Sequence, residues 1–145
     1  MEALGARLAH KRSKGDVIFL RGDLGCGKTC LARGFVRAMV RDTALQVTSP
    51  TYLLVNTYEA VDSVIHHVDL YRLEKVSDVD AMALGLTDAF ANGISLVEWP
   101  QRLQTQGVPA ERLEVSIDYD QETESTTRHV SFHSFGKRWE GFVLD

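Results

Sequence analysis

The feature that most constrains this chain is a strand, a glycine-rich loop and a helix written one after another. Val17-Ile18-Phe19-Leu20 is an unbroken apolar run between Gly15 and Gly22, the pattern of a strand buried on both faces at the centre of a sheet. Beyond the glycines, Leu31, Phe35, Ala38 and Met39 recur at helical spacing, with Arg33, Arg37 and Arg41 largely off that stripe, which predicts a helix from Lys28 to Arg41. The residues between, Gly22-Asp23-Leu24-Gly25-Cys26-Gly27-Lys28-Thr29, fit G-x-x-x-x-G-K-[ST] in the strand-to-helix context that gives this pattern its meaning.

Such a loop has a specific chemistry. Its glycines let backbone N–H groups converge on an anion at a helix N-terminus, where the dipole adds to the attraction. Asp23, Leu24, Gly25, Cys26, Gly27, Lys28, Thr29 and Cys30 are therefore the expected phosphate contacts. Lys28 would reach the β and γ phosphates, and the Thr29 hydroxyl would bind Mg²⁺.

The rest of the chain reads as one α/β domain over residues 1–145. Leu4 and Leu8 predict a short amphipathic helix that Lys14-Gly15 ends. Residues 52–58 and 64–69, rich in β-branched and aromatic side chains around a polar Glu59–Ser63 segment, predict a hairpin. Ser77 is an expected N-cap for a helix through Leu84, stopped by Gly85. Ile94 to Val97 is a further buried strand, and Pro100 precedes a short helical piece. Alternation at Leu113, Val115, Ile117 and Tyr119, and again at Val130 and Phe132, predicts a C-terminal antiparallel pair across a turn at 120–126. The expected fold is a three-layer, P-loop NTPase-like domain with a mixed parallel and antiparallel sheet.

A metal-side carboxylate is needed to complete such a site. Two strands end in one: Val64 to Val68 leads to Asp69, and Ile94 to Val97 leads to Glu98. Position alone admits either. His66 and His67 point to opposite faces of their strand with no third ligand at metal spacing, so they read as structural.

Composition narrows the function. The net charge of −4 argues against autonomous nucleic-acid binding. Residues 1–41 nonetheless carry nine Lys and Arg against three Asp and Glu, so a basic face toward a phosphate ligand or partner is compatible with the chain. No apolar run approaches the ~18 residues of a membrane span. There is no Asn-Lys-x-Asp guanine-reading motif and no Leu-Ser-Gly-Gly-Gln signature, which leaves ATP as the expected nucleotide. Little chain remains for the lid that a small-molecule kinase closes over its acceptor.

Four blocks in order, the loop at 22–29, Ser49-Pro50-Thr51-Tyr52, His67-Val68-Asp69-Leu70-Tyr71-Arg72-Leu73 and Glu98-Trp99-Pro100, resemble the TsaE (YjeE-type) P-loop ATPase family from about Gly15 to Arg102. The resemblance implies the ATPase subunit of the machinery that makes N6-threonylcarbamoyladenosine at position 37 of tRNAs reading ANN codons. It implies ATP and ADP with Mg²⁺ as cofactors, TsaD-type and TsaB-type proteins as partners, tRNA contact only through that complex, and no membrane. By the same resemblance Asp69 is the Mg²⁺-side acid and Thr51 a switch residue sensing the γ-phosphate. Glu98 is a catalytic acid within reach of the metal, and Trp99 lies beside the nucleotide. The expected compartment is the cytoplasm, or an organelle of bacterial descent where a transit peptide has been removed.

The chain departs from the family pattern at Cys26, usually alanine, and Cys30, usually threonine. A small thiol packs where a methyl packs. A cysteine near a helix N-terminus beside Lys28 is also expected to have a lowered pKa, so that its oxidation would block nucleotide binding. The rival functions are a small P-loop kinase, which would release a phosphorylated metabolite, and a nucleotide-gated scaffold that binds ATP but scarcely hydrolyses it.

Overall fold

The computed structural model describes residues 1–119 and 127–144. The turn expected at 120–126 lies outside the described residues. In chain order the elements are α1 (Glu2–Ala9), β1 (Val17–Arg21), α2 (Lys28–Val40), β2 (Val55–Glu59), β3 (Val64–Asp69), α3 (Asp78–Ala83), α4 (Leu86–Asn92), β4 (Ile94–Glu98), β5 (Arg112–Tyr119) and β6 (Arg128–Phe135). Short 3₁₀ turns at Pro100–Arg102, Thr105–Gly107 and Lys137–Trp139 complete the list.

The strands form one sheet in the order β2-β3-β4-β1-β5-β6. The inner four run parallel, while β2 and β6 pair antiparallel at the edges. β1 is therefore central, as its apolar run requires. Its alternate side chains serve two cores. Ile18 and Leu20 join Leu31, Phe35, Leu96 and Val115 beneath α1 and α2. Val17 and Phe19 join Leu70, Ala81, Leu86 and Val97 beneath α3 and α4. Helices on both sheet faces make the three layers that the sequence predicts.

α1 and α2 cross at two glycines. A Cβ on Gly5 would lie 2.0 Å from the Leu31 carbonyl oxygen, and one on Gly34 would lie 2.0 Å from that of Glu2. Backbone touches backbone there, so no side chain fits. The entry to β1 is fixed from the far end of the chain. Asp16 is buried, accepts the Ser13 N–H at 2.7 Å, and takes a forked pair of hydrogen bonds from Arg138 at 2.8 and 2.9 Å.

Three expectations need correction. α1 stops at Ala9, five residues short of Lys14-Gly15, because residues 10–15 turn to deliver the chain to β1. β2 begins at Val55 and not at Tyr52, because Leu54 adopts a left-handed φ of 69° and donates its N–H to the Pro50 carbonyl in a turn. Ser77 does cap α3, in a reciprocal capping box with Asp80. Gly85, however, re-aims the chain with φ 77° and starts α4, a helix absent from the sequence reading. Among the described residues no helix is long and apolar enough to cross a membrane.

Candidate nucleotide site

The loop after β1 ends in Gly27, whose φ of 115° caps α2 in a conformation that a residue with a Cβ rarely adopts. Gly22 at its other end is closely hemmed in: a Cβ there would meet Cys26 Sγ at 2.5 Å and the Ile117 carbonyl oxygen at 2.6 Å. Cys26 is buried under the loop. Lys28 is buried as well. Its Nζ donates to the carbonyls of Gly22 and, at 3.1 Å, of Asp23, and it lies 4.3 Å from the centroid of the Trp99 ring. That is a cation–π contact.

Trp99 is itself strained. Its φ of 59° and ψ of 48° are left-handed, between the end of β4 and Pro100. Tyr71 flanks its ring at 5.0 Å. Strain of this kind persists only where the surroundings fix it.

Asp69 and Glu98 are register partners at the ends of the parallel strands β3 and β4, so their side chains emerge on one face. That face is the α2 face, since Leu96, two residues before Glu98, packs in the core beneath that helix. Each carboxylate is 3% exposed. Asp69 Oδ2 accepts the hydroxyls of Ser49 at 3.0 Å and Thr51 at 2.9 Å, and Oδ1 accepts the Tyr71 N–H at 2.9 Å. The Ser49 and Thr51 hydroxyl oxygens lie 2.7 Å apart, so one of them shares its single proton between Asp69 and its neighbour. Glu98 accepts the Thr29 hydroxyl at 3.0 and 3.2 Å. On its other side the fully buried His67 places Nε2 2.6 Å from Glu98 Oε2. All these groups but His67 border one cleft of about 340 Å³.

The structure thus brings together, along that cleft, Leu24, Gly25, Gly27, Lys28, Thr29, Cys30, Thr51, Asp69, Glu98 and Trp99. Two of the expected residues stand apart from it. Asp23 contributes its carbonyl to Lys28, and Cys26 lies beneath the loop. The expected low pKa of Cys26 is corrected: burial pushes the thiol up, and the opposing charges of Lys28 and Arg128 do not outweigh it. Sequence reasoning assigned no role to Ser49, Tyr71 or Arg33 at the cleft wall, and it gave His67 a structural role without its link to Glu98. The even spacing of His67 and Asp69 on one strand put both on the same face and was the available signal.

The family model described as Threonylcarbamoyl adenosine biosynthesis protein TsaE matches residues 1–130. The tRNA threonylcarbamoyladenosine biosynthesis protein TsaE of Bacillus subtilis is 35% identical over 140 residues, covering 96% of this chain and 82% of its own length. The protein of the same description from Streptomyces coelicolor is 34% identical over 144 residues, covering 96% and 93%. The crystal structure of Bacillus subtilis YdiB superimposes with a TM-score of 0.72 at 30% identity, over 96% of this chain and 81% of that one.

Proposed function

This chain belongs to the TsaE family of threonylcarbamoyl adenosine biosynthesis proteins, and from that premise we propose that it is a Mg²⁺-dependent ATPase serving tRNA N6-threonylcarbamoyladenosine formation. One observation carries the chemistry: Asp69 and Glu98, neighbours across the β3–β4 ladder, each hold a hydroxyl at the mouth of a phosphate loop. The hydroxyl of Thr29 and the carboxylates of Asp69 and Glu98 form an all-oxygen donor set, which suits a hard cation held with phosphate oxygens. When bound, Mg²⁺ would neutralise charge on the β and γ phosphates.

The chain's own residues do the rest. Lys28, buried beside Trp99, is pre-aimed into the cleft and would exchange its carbonyl partners for phosphate oxygens. Glu98, fixed by His67, is the group that orients or deprotonates the attacking water. Thr51, bonded to Asp69 from the loop before β2, links that loop to the metal side of the site. This is the arrangement of a switch that reports the terminal phosphate. Hydrolysis would reset docking on TsaD-type and TsaB-type partners, with tRNA engaged through their complex, and the expected compartment is the cytoplasm.

The test is Mg²⁺-dependent phosphate release by the pure protein, with and without TsaD and TsaB homologues and tRNA, using Asp69→Ala as control. Partner-stimulated release that is lost in Asp69→Ala supports the proposal. Tight ATP binding without release under any condition favours the nucleotide-gated scaffold, and a phosphorylated metabolite in place of inorganic phosphate favours the kinase.

A further inference from the structure

Arg33 and Arg37 stand one turn apart on α2, and each holds a backbone carbonyl of the segment that follows the helix. Arg33 Nε donates to the Val47 carbonyl at 3.1 Å, and Arg37 Nε donates to the Leu45 carbonyl at 2.9 Å. Both bonds are charge-assisted. Like charges one helical turn apart repel, and Glu2 of α1 offsets that: its Oε1 lies 3.5 Å from Arg33 Nη1 and its Oε2 lies 3.3 Å from Arg37 Nη1. Arg33 Nη1 also lies 3.6 Å from Cys30 Sγ.

The segment so clipped leads straight into Ser49 and Thr51. Residues 45–50 lie in neither helix nor strand, so their place depends on the side chains that their backbone groups find. Val47 is buried against the α2 core. One residue on, the Thr48 carbonyl accepts from Asn56 Nδ2 of β2 at 3.4 Å. Beyond it the hydroxyls of Ser49 and Thr51 reach Asp69 Oδ2 at 3.0 and 2.9 Å. Arg33 borders the same cleft as Ser49 and Thr51. The helix that opens with Lys28 and Thr29 therefore also sets where the Ser49–Thr51 loop stands.

We infer that Arg33 is a positioning residue for Thr51, with Arg37 as a second clip and Glu2 holding both guanidinium heads. The inference deepens the nucleotide reading proposed above and rests on it. Arg33 acts through the Val47 carbonyl and not on the nucleotide itself. Removing the clip displaces Thr51, which weakens a ligand that carries the terminal phosphate and spares one that lacks it.

The experiment is calorimetric titration of the full chain with ADP and with a non-hydrolysable ATP analogue, both with Mg²⁺. Thr51→Val is expected to weaken the analogue and spare ADP. Arg33→Met, which keeps the apolar stem and removes the donor, is expected to weaken the analogue about tenfold with ADP unchanged. Arg33→Lys, whose ammonium can still meet a carbonyl, recovers part of that loss. In the Thr51→Val background Arg33→Met costs nothing further. Thermal melts check that each variant is folded; if Arg33→Met does not fold, Arg37→Met, which leaves the Arg33 clip in place, carries the same test with the same outcomes. Unaltered affinity for the analogue, an equal loss for both ligands, or a loss that adds to that of Thr51→Val overturns this inference and leaves the site standing. A wild-type chain that binds neither nucleotide, or a Thr51→Val chain with wild-type affinity for both, overturns the reading of the site and the inference with it.

Discussion

His67 Nε2 and Glu98 Oε2 meet at 2.6 Å from neighbouring strands on one face of the sheet, the histidine fully buried and the carboxylate nearly so at the cleft wall. A carboxylate oxygen accepts, so the ring proton sits on Nε2, and Nδ1 is left buried with no polar partner among the described residues. One unmet nitrogen is the cost of aiming one carboxylate. His67→Ala is expected to lower kcat for ATP roughly tenfold with KM little changed, as loss of an orienting partner does. In a Glu98→Gln background the same substitution should cost almost nothing further. Additive losses in steady-state assays of the four proteins would show that His67 acts elsewhere.

The two cysteines should differ sharply in reactivity. Burial raises the Cys26 thiol above its ordinary value and closes it off beneath the loop, whereas Cys30 is partly exposed at the cleft wall beside Arg33. A brief alkylation pulse at about pH 8, read by mass spectrometry, is expected to label Cys30 well ahead of Cys26. Nucleotide affinity after mild peroxide should then track modification of Cys30. Preferential labelling of Cys26 would restore the lowered-pKa reading that the sequence offered beside plain packing.

Acid stability has a named contributor in Glu114. Burial alone would push its carboxyl up, but the hydrogen bonds and charges of Arg21 and Arg112 outweigh that and hold it below its ordinary value of 4.5. A carboxyl whose folded pKa is depressed adds stability above its unfolded pKa, and that stability drains away as pH falls through the folded value. Glu114→Gln should therefore cost about 1–2 kcal/mol near neutrality. The difference from wild type should shrink below about pH 4 in urea titrations. A gap that stays constant with pH would mean that shape, not charge, is what Glu114 contributes.

The helix crossing offers a test of packing alone. Gly34→Ala puts a methyl 2.0 Å from the Glu2 carbonyl oxygen, where backbone must move. We expect a loss of about 3 kcal/mol in denaturant unfolding, against a few tenths for Gly107→Ala, whose Cβ would meet nothing closer than 3.8 Å.

What the sequence made legible was local. Val17–Leu20, the glycine loop and the apolar stripe of α2 are adjacent in the chain, so periodicity and turn chemistry suffice to read them. The two strand-end acids were visible for the same reason. α4 escaped because Leu86–Asn92 is a seven-residue helix with two buried side chains, too short for a periodic signal, and Gly85 reads as a stop when it is a re-start. The His67–Glu98 contact and the reach of Tyr119 to Gly25 join residues far apart in sequence, and no window along the chain contains both ends. Cys26 shows the same gap in energetic form: the helix terminus and Lys28 are neighbours in sequence, while the burial that outweighs them is tertiary.

The place of β1 in the sheet has a consequence for how the protein is born. Its two flanking strands register Val17 to Leu20 against Ser95 to Glu98, and Ile18 to Arg21 against Leu113 to Ser116, so the strand that carries the phosphate loop leaves the ribosome long before either neighbour. Such distant pairing slows folding and leaves an apolar strand unpaired meanwhile. A ribosome paused between β4 and β5 therefore holds every residue of the phosphate loop while one edge of its strand still waits for Leu113 to Ser116.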